Sequence, residues 1–165
     1  MPTNTPIRVS DRESDRSTGA VWPLFLTAHA VLVERVETRL AEAGLPPLAW
    51  YDVLWAIERA EGGRVRLSDL AERIVLSRSN MTRLIDRLEQ AGLVGRERSE
   101  EDGRGSYAIL TPAGKAQRVK MWPVYKAAIS TLFETHLQPA EARVMNLVLR
   151  RILVAARGER GGKSR

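Results

Sequence analysis

Two short amphipathic helices in close succession are the feature that most constrains the fold of this chain. The first is predicted from Leu67 to Ile74, where apolar residues recur at i, i+3, i+4 and i+7 and share one helical face. The second is predicted to begin at Ser77 and to end near Gly92, because glycine commonly terminates helices. Its apolar stripe has the same spacing and consists of Met81, Leu84, Ile85 and Leu88. Two such helices joined by a turn form a helix-turn-helix unit.

The pattern of a β-hairpin follows the second helix. Two β-prone stretches, 93–98 and 106–110, are joined by the polar loop 99–105, and Arg104 lies near the tip. Residues 65–67 could supply a short third strand that pairs with this hairpin. A helix-turn-helix unit followed by a hairpin is a winged helix, whose usual function is to bind duplex DNA.

Net charge alone is weak evidence for DNA binding at this motif. The chain carries a formal charge of +6, which suggests an anionic partner. However, six of its basic residues lie in the segment 150–165, whereas the segment 77–106 contains six arginines and six acidic residues. The prediction of DNA binding therefore depends on the face that each arginine occupies.

Composition also excludes several classes of protein. There is no cysteine, so disulfides and a thiol-based oxidation sensor are excluded. No apolar run approaches the roughly 20 residues that cross a bilayer, and no secretory signal is visible, so we expect a cytoplasmic protein without a membrane partner. The motifs of nucleophilic or phosphate-binding enzymes are absent, and the two histidines are far apart. We therefore expect no enzyme activity, no metal site and no cofactor.

Long helices are predicted on both sides of the winged helix. The expected organisation is a flexible arm at 1–18, a single domain at 19–157 and a basic tail at 158–165. Within the domain, the winged helix would occupy about 47–112, between helices at about 21–43 and 113–156.

The flanking helices carry more apolar surface than the winged helix can bury. This surplus consists of Leu24, Phe25, Val31, Leu132, Phe133, Val144, Leu147 and Val148. Such surface is usually buried against a second copy of the chain, and a two-fold dimer would suit a pseudo-palindromic DNA site. The predicted fold is therefore mainly α with a small β-wing, in which a winged helix-turn-helix is flanked by N- and C-terminal dimerisation helices.

The face of the second helix opposite its apolar stripe supplies candidate DNA contacts. At about 100° per residue, Ser79, Thr82 and Arg83 point outward, and Arg78 lies near the flank of the first turn. Arginine at this place can bond guanine in the major groove. The alternative interpretation is an ordinary solvated helix face.

The wing supplies a second set of candidates. Arg104 could reach the minor groove, Asp102 could hold its guanidinium, and Arg98 is a possible phosphate contact. The alternative is a solvated turn with an incidental ion pair. Together the candidate DNA contacts are Ser77, Arg78, Ser79, Thr82, Arg83, Arg98, Asp102 and Arg104.

The combined motif resembles the multiple-antibiotic-resistance regulators, the MarR family of repressors. The resemblance rests on residues 67–74, 77–94 and 102–114, and extends over about 21–156. Its most specific part is Asp-x-Arg in the wing, followed by a strand and Leu-Thr-x-x-Gly. The resemblance implies a homodimer whose flanking helices form the dimer layer. It also implies a repressor that a small aromatic or anionic ligand often releases from DNA.

A narrower resemblance concerns the urate-responsive branch of this family. Asp52, Arg83 and Arg96 fall at the positions of that branch's aspartate and its two arginines. The branch's added N-terminal helix is missing, and Trp22 lies instead at the start of the first core helix. Membership of the branch is left open.

Several residues on the connecting helices are candidates for a ligand pocket. Trp50, Trp55, Met121 and Trp122 could form its aromatic and apolar walls, although simple core packing explains each of them equally well. The polar candidates are His29, Asp52 and Arg83, although Arg83 cannot serve both DNA and ligand at full strength. The predicted function is a homodimeric, DNA-binding repressor released by a small aromatic or anionic ligand. The alternatives are a constitutive DNA binder without an effector, and a winged helix that binds protein or RNA.

Overall fold

A computed structural model describes residues 18–74, 78–98 and 105–161 of the chain. The elements in chain order are α1 (Thr18–Glu42), α2 (Leu48–Glu58), β1 (Arg64–Arg66), α3 (Leu67–Arg73), α4 (Arg78–Gln90), β2 (Val94–Arg98), β3 (Ser106–Leu110), α5 (Pro112–Leu132) and α6 (Pro139–Gly161). The expected fold class, mainly α with a small β-wing, is confirmed. No helix within these ranges is both long and apolar enough to cross a membrane.

Two glycines end the helices that precede the main turns. Gly44 and Gly92 adopt left-handed φ angles of 65° and 72° after α1 and α4. The residue after each glycine donates a backbone hydrogen bond to a carbonyl in the last turn of the helix. In α1 this bond joins Leu45 N to Leu40 O, and in α4 it joins Leu93 N to Leu88 O, both at 2.9 Å. These are Schellman motifs, which satisfy the last carbonyl groups of a helix. The predicted stop at residue 92 is confirmed.

Helix α2 packs on two hydrophobic clusters at once. Val53, Leu54 and Ile57 join the core of the winged helix, which the apolar stripe of α4 and the strand residues Val65, Val94 and Ala108 complete. The opposite side of α2 contributes Tyr51 to a second cluster with α1 and α5, whose other members are Val36, Leu40, Met121 and Ala128. Because both sides are covered, α2 is apolar over most of its circumference and joins the winged helix to the long helices.

The three strands form one antiparallel sheet in the order β1-β3-β2. The third strand expected near 65–67 is present and begins one residue earlier, at Arg64. Ala108 pairs with Val65 on one side and with Arg96 on the other. Since residues paired across strands share a face, the side chain of Arg96 lies on the face that covers the core.

Helix α5 begins immediately after the wing. Thr111 Oγ1 accepts a hydrogen bond from Gly114 N at 3.0 Å and donates one to Gly92 O at 2.8 Å. A Cβ at Gly114 would lie only 2.0 Å from Leu93 O, so this position has no room for a side chain. The Leu-Thr-x-x-Gly segment therefore fixes α5 against the end of α4.

The C-terminal helices differ from the sequence prediction at their ends. Helix α5 ends at Leu132 and a short 3-10 turn, Glu134–His136, replaces its expected last turn. Helix α6 continues to Gly161, four residues into the segment expected to be a tail, so Gly158 does not end it. Of the expected N-terminal arm, residues 1–17 lie outside the described part of the chain.

Candidate nucleic-acid interface and adjacent cavity

Helix α4 has the two faces that its sequence predicts. Its apolar stripe is at most 3% exposed, and Ile85 and Leu88 are completely buried. On the other side, Thr82 and Arg83 are exposed. Arg83 forms no ion pair with any residue that the structure describes. This side also borders a shallow groove whose lining includes Asn80, Asp86 and Arg87.

The other predicted DNA contacts are described unequally. Arg78 and Ser79 form the first turn of α4, but their side chains lie outside the described part of the chain, as do Ser77, Asp102 and Arg104 entirely. Arg98 is exposed at the last position of β2, where it pairs with Ser106.

Arg96 connects the wing to α4. Its Nη2 atom forms an ion pair with Asp86 Oδ1, and its Nε lies 3.3 Å from Glu89 Oε2. Asp86 and Glu89 are three residues apart and therefore face the same side of α4. The sequence prediction considered Arg96 only as a position matched in the urate-responsive branch. The acidic pair at i and i+3 before a strand with a basic residue was the signal that could have revealed this contact.

On the opposite face of the sheet, the ring of Tyr107 contacts two arginines of β1. Arg64 and Arg66 place their guanidinium carbons 4.8 and 5.3 Å from the centroid of Tyr107. Arg66 Nε also donates to Tyr107 Oη at 3.0 Å, and Arg64 Nη1 lies 3.5 Å from Glu97 Oε2. These contacts join all three strands, so the base of the wing is held on both of its faces.

A cavity of about 710 Å³ lies between α1 and α2. Three of the predicted ligand residues line it, namely His29, Asp52 and Trp55. Its remaining lining consists of Val33, Glu37, Leu48, Ala49, Ala56, Arg59 and Ile74.

Three other predicted ligand residues do not line this cavity. Trp50 packs against the core of the winged helix, and Met121 is completely buried in the second cluster. Trp122 stacks on Tyr51, with ring centroids 6.0 Å apart. Met121 and Trp122 do not line the cavity because α5 packs against the side of α2 that carries Tyr51, and Trp50 does not line it because it packs against the core of the winged helix.

Two carboxyl groups lie at one end of the cavity. Both carboxylate oxygens of Glu37 are 3.1 Å from Leu48 N and accept its hydrogen bond at the N-terminus of α2. Burial, and secondarily the negative charge of Glu37, raise the pKa of Asp52 from 3.8 to about 6. Burial also raises the pKa of Tyr125, with smaller contributions from Asp52 and Tyr51. Among the described residues, no group of three His, Asp or Glu side chains could hold a metal ion.

The outer surfaces of α1 and α6 are apolar and uncovered. Leu24 is 70% exposed, and Val144 and Leu147 are 62% and 65% exposed. A groove of about 1000 Å³ runs between the two helices, with Trp22 and Phe25 among its lining residues.

Comparison with known proteins relates the chain to one family of regulators. A family model for the MarR family matches residues 43–105. The uncharacterised HTH-type transcriptional regulator YkoM of Bacillus subtilis is 32% identical over 89 residues, which is 54% of this chain and only 57% of that relative.

Two solved structures are similar over more of the chain. AbsC, a MarR family transcriptional regulator from Streptomyces coelicolor, is 32% identical with a TM-score of 0.76, and the match covers 85% of this chain and 94% of AbsC. Sco3205, a MarR family regulator from the same organism solved in complex with DNA, is 25% identical with a TM-score of 0.75. That match covers 81% of this chain and 84% of Sco3205.

Proposed function

Because this chain belongs to the MarR family, we propose that it is a homodimeric, DNA-binding transcriptional repressor that a small ligand releases from its operator. Regulation of transcription by DNA binding is the activity of the family, whose members are not enzymes. The proposed DNA-binding unit is the winged helix at about 47–112, with dimerisation helices at about 21–43 and 113–156. A repressor that acts on the chromosome would work in the cytoplasm.

The outward face of α4 is the observation that best supports DNA binding. It presents Arg83 beside Thr82, with the helix anchored from behind by its buried stripe. A recognition helix enters the major groove in this manner, and the first turn contacts base edges. We propose major-groove contacts from Ser77, Arg78, Ser79, Thr82 and Arg83. The proposed wing contacts are Arg98, Asp102 and Arg104.

The exposed apolar surfaces of α1 and α6 support a dimer. Isolated apolar side chains on a surface are ordinary, but contiguous patches mark an interface. The patch includes Trp22, Phe25, Val144 and Leu147 on helices from both ends of the chain. A two-fold axis through this layer would present two α4 helices to half-sites about 34 Å apart.

The cavity between α1 and α2 supports regulation by a ligand. Helix α2 packs on both the winged helix and the long helices, so a ligand that moves α1 relative to α2 would change the spacing of the two recognition helices. Such a ligand needs only about 1–3 kcal/mol of differential affinity to affect DNA binding. His29, Asp52 and Trp55 are the proposed ligand-contacting residues.

An electrophoretic mobility shift on the region upstream of the protein's own gene tests the DNA-binding proposal. At one fixed salt concentration, we expect a stronger shift for this duplex than for an unrelated duplex of equal length. Equal affinity for both duplexes would contradict sequence-specific regulation. A second measurement adds small aromatic compounds, and the absence of release by any of them would favour a constitutive DNA binder.

A further inference from the structure

We propose that the cavity between α1 and α2 selects small aromatic compounds that carry a positive charge or N–H donors, and that it disfavours aromatic acids. Ligand binding of this kind needs no DNA, whereas its effect on the operator rests on the proposed function. The inference follows from the placement of four side chains around the cavity, Glu37, Asp52, Trp55 and Arg59.

The end of the cavity nearest the start of α2 carries two carboxyl groups. Glu37 already accepts the hydrogen bond of Leu48 N, which fixes its position. Asp52 makes no hydrogen bond or ion pair with any residue in the described ranges, so its carboxylate oxygens have no donor among those residues. A half-buried carboxylate without a donor favours a ligand that supplies one. An aromatic acid would instead bring a third negative charge to this end.

Trp55 provides an aromatic wall beside Asp52. It lies three residues further along α2, on the same side of the helix and about 4.5 Å along its axis. The Trp55 side chain is 45% exposed although the Arg59 guanidinium lies over its ring, so part of the ring is accessible to a ligand. A cation is attracted to the face of an indole ring, and an aromatic ligand can also pack against it.

Arg59 marks the other end of the cavity. Its guanidinium carbon lies 5.3 Å from the centroid of the Trp55 ring. Arg59 follows the last residue of α2 and lies seven positions after Asp52, which corresponds to about 10 Å of rise between the two backbone positions. Arg59 is not among the groups that shift the pKa of Asp52, so it does not act as a close compensating cation for that carboxylate, and an acidic ligand would bind at its guanidinium instead.

The charged and titratable groups around Asp52 come from three helices. Glu37 and His29 are contributed by α1, Tyr51 by α2, Arg59 by the position that caps the end of α2, and Tyr125 by α5. The raised pKa values of Asp52 and Tyr125 are consistent with the absence of a close compensating cation. Asp52 is nevertheless mostly ionised at neutral pH, since its pKa is about 6. A bound amidinium or ammonium group would supply the missing positive charge.

Three probes of nearly identical shape test the proposal, namely benzamidine, benzamide and benzoate, which are positive, neutral and negative at neutral pH. Binding is measured without DNA by calorimetry and by tryptophan fluorescence of the full chain. We expect benzamidine to bind about tenfold or more tightly than benzamide, and benzoate to bind most weakly. Asp52→Asn should reduce the affinity for benzamidine to that for benzamide. Glu134→Gln, an exposed acid outside the cavity, is the matched control and should change nothing.

The proposal is wrong if benzoate binds as tightly as benzamidine, if none of the probes binds, or if Asp52→Asn leaves the preference intact. If benzoate binds and Arg59→Gln abolishes that binding, Arg59 rather than Asp52 selects the ligand, and the proposal is wrong. Circular dichroism of each variant verifies the fold. A retained preference for benzamidine without release of operator DNA would contradict the ligand-relieved repression, but not this assignment of the cavity.

Discussion

Arg96 of β2 forms an ion pair with Asp86 of α4, and this contact joins the wing to the recognition helix across the surface of the winged helix. The β2 strand lies at the edge of the sheet. Val94 is the residue of β2 that packs in the hydrophobic core. Arg96 is thus the next inward-facing side chain after the core ends. Its contacts with Asp86 and Glu89 hold this part of β2 against α4.

We therefore expect Arg96→Gln to weaken operator binding more than it weakens folding. Exposed ion pairs contribute only about 0–1 kcal/mol to stability, so the melting temperature should change little. A misdirected wing should lower operator affinity by about tenfold, or 1.4 kcal/mol. Fluorescence anisotropy of a double-mutant cycle with Asp86→Asn measures the coupling. Independent, additive effects of the two substitutions on DNA affinity would show that the pair does not position the wing.

Arginine contacts to bases should dominate specific binding. Arg83→Ala and Arg104→Ala are each expected to reduce operator affinity by about 1–3 kcal/mol, because a bidentate contact to guanine would be lost. Since Arg83 is exposed, its removal should leave the unfolding midpoint unchanged. Arg35→Ala, an exposed arginine on α1, serves as the control for a lost charge. Unaltered affinity in both variants at one salt concentration would refute these contacts.

The dimer should depend on the apolar face of α6. The double substitution Val144→Glu with Leu147→Glu places two charges on residues that are 62% and 65% exposed in the isolated chain. Their burial in an interface would leave unpaired charges, so we expect monomers or unfolded chain and no operator binding. Light scattering measures the mass in solution. A folded monomer of the unsubstituted protein that binds its operator would contradict the proposal.

Asp52 should make stability depend on pH in a defined window. Its folded-state pKa of about 6 lies above the ordinary value of 3.8, so the folded protein binds this proton more tightly than the unfolded chain. The contribution of Asp52 to stability is therefore present below pH 3.8 and is lost as the pH rises to about 6. We expect Asp52→Asn to be more stable than the unsubstituted protein at neutral pH, by about 1–3 kcal/mol.

Urea unfolding of both proteins across this pH range measures the difference. The difference in free energy of unfolding should shrink toward zero as the pH falls below 3.8, the ordinary pKa of an aspartate, because both side chains are then neutral. A difference that stays constant with pH would show that burial does not shift the titration of Asp52.

The sequence by itself determined the features that depend on neighbours within one helix or turn. The two faces of α4, the stop at Gly92, and the cap of α5 at Thr111 follow from helical periodicity and from backbone preferences that act over a few residues. The winged helix and its family resemblance follow from the order of these elements. For the same reason, the inward and outward residues of the recognition helix could be predicted without any tertiary information.

Only the tertiary structure decided which distant side chains meet. Glu37 accepts the hydrogen bond of Leu48 N across 11 residues, and Arg96 contacts Asp86 across 10 residues and a turn. Met121 and Trp122 were plausible cavity residues, but the side of α2 against which α5 packs turns them away from it. Burial and the neighbouring Glu37 then shift the pKa of Asp52. Packing geometry and local desolvation set these relationships.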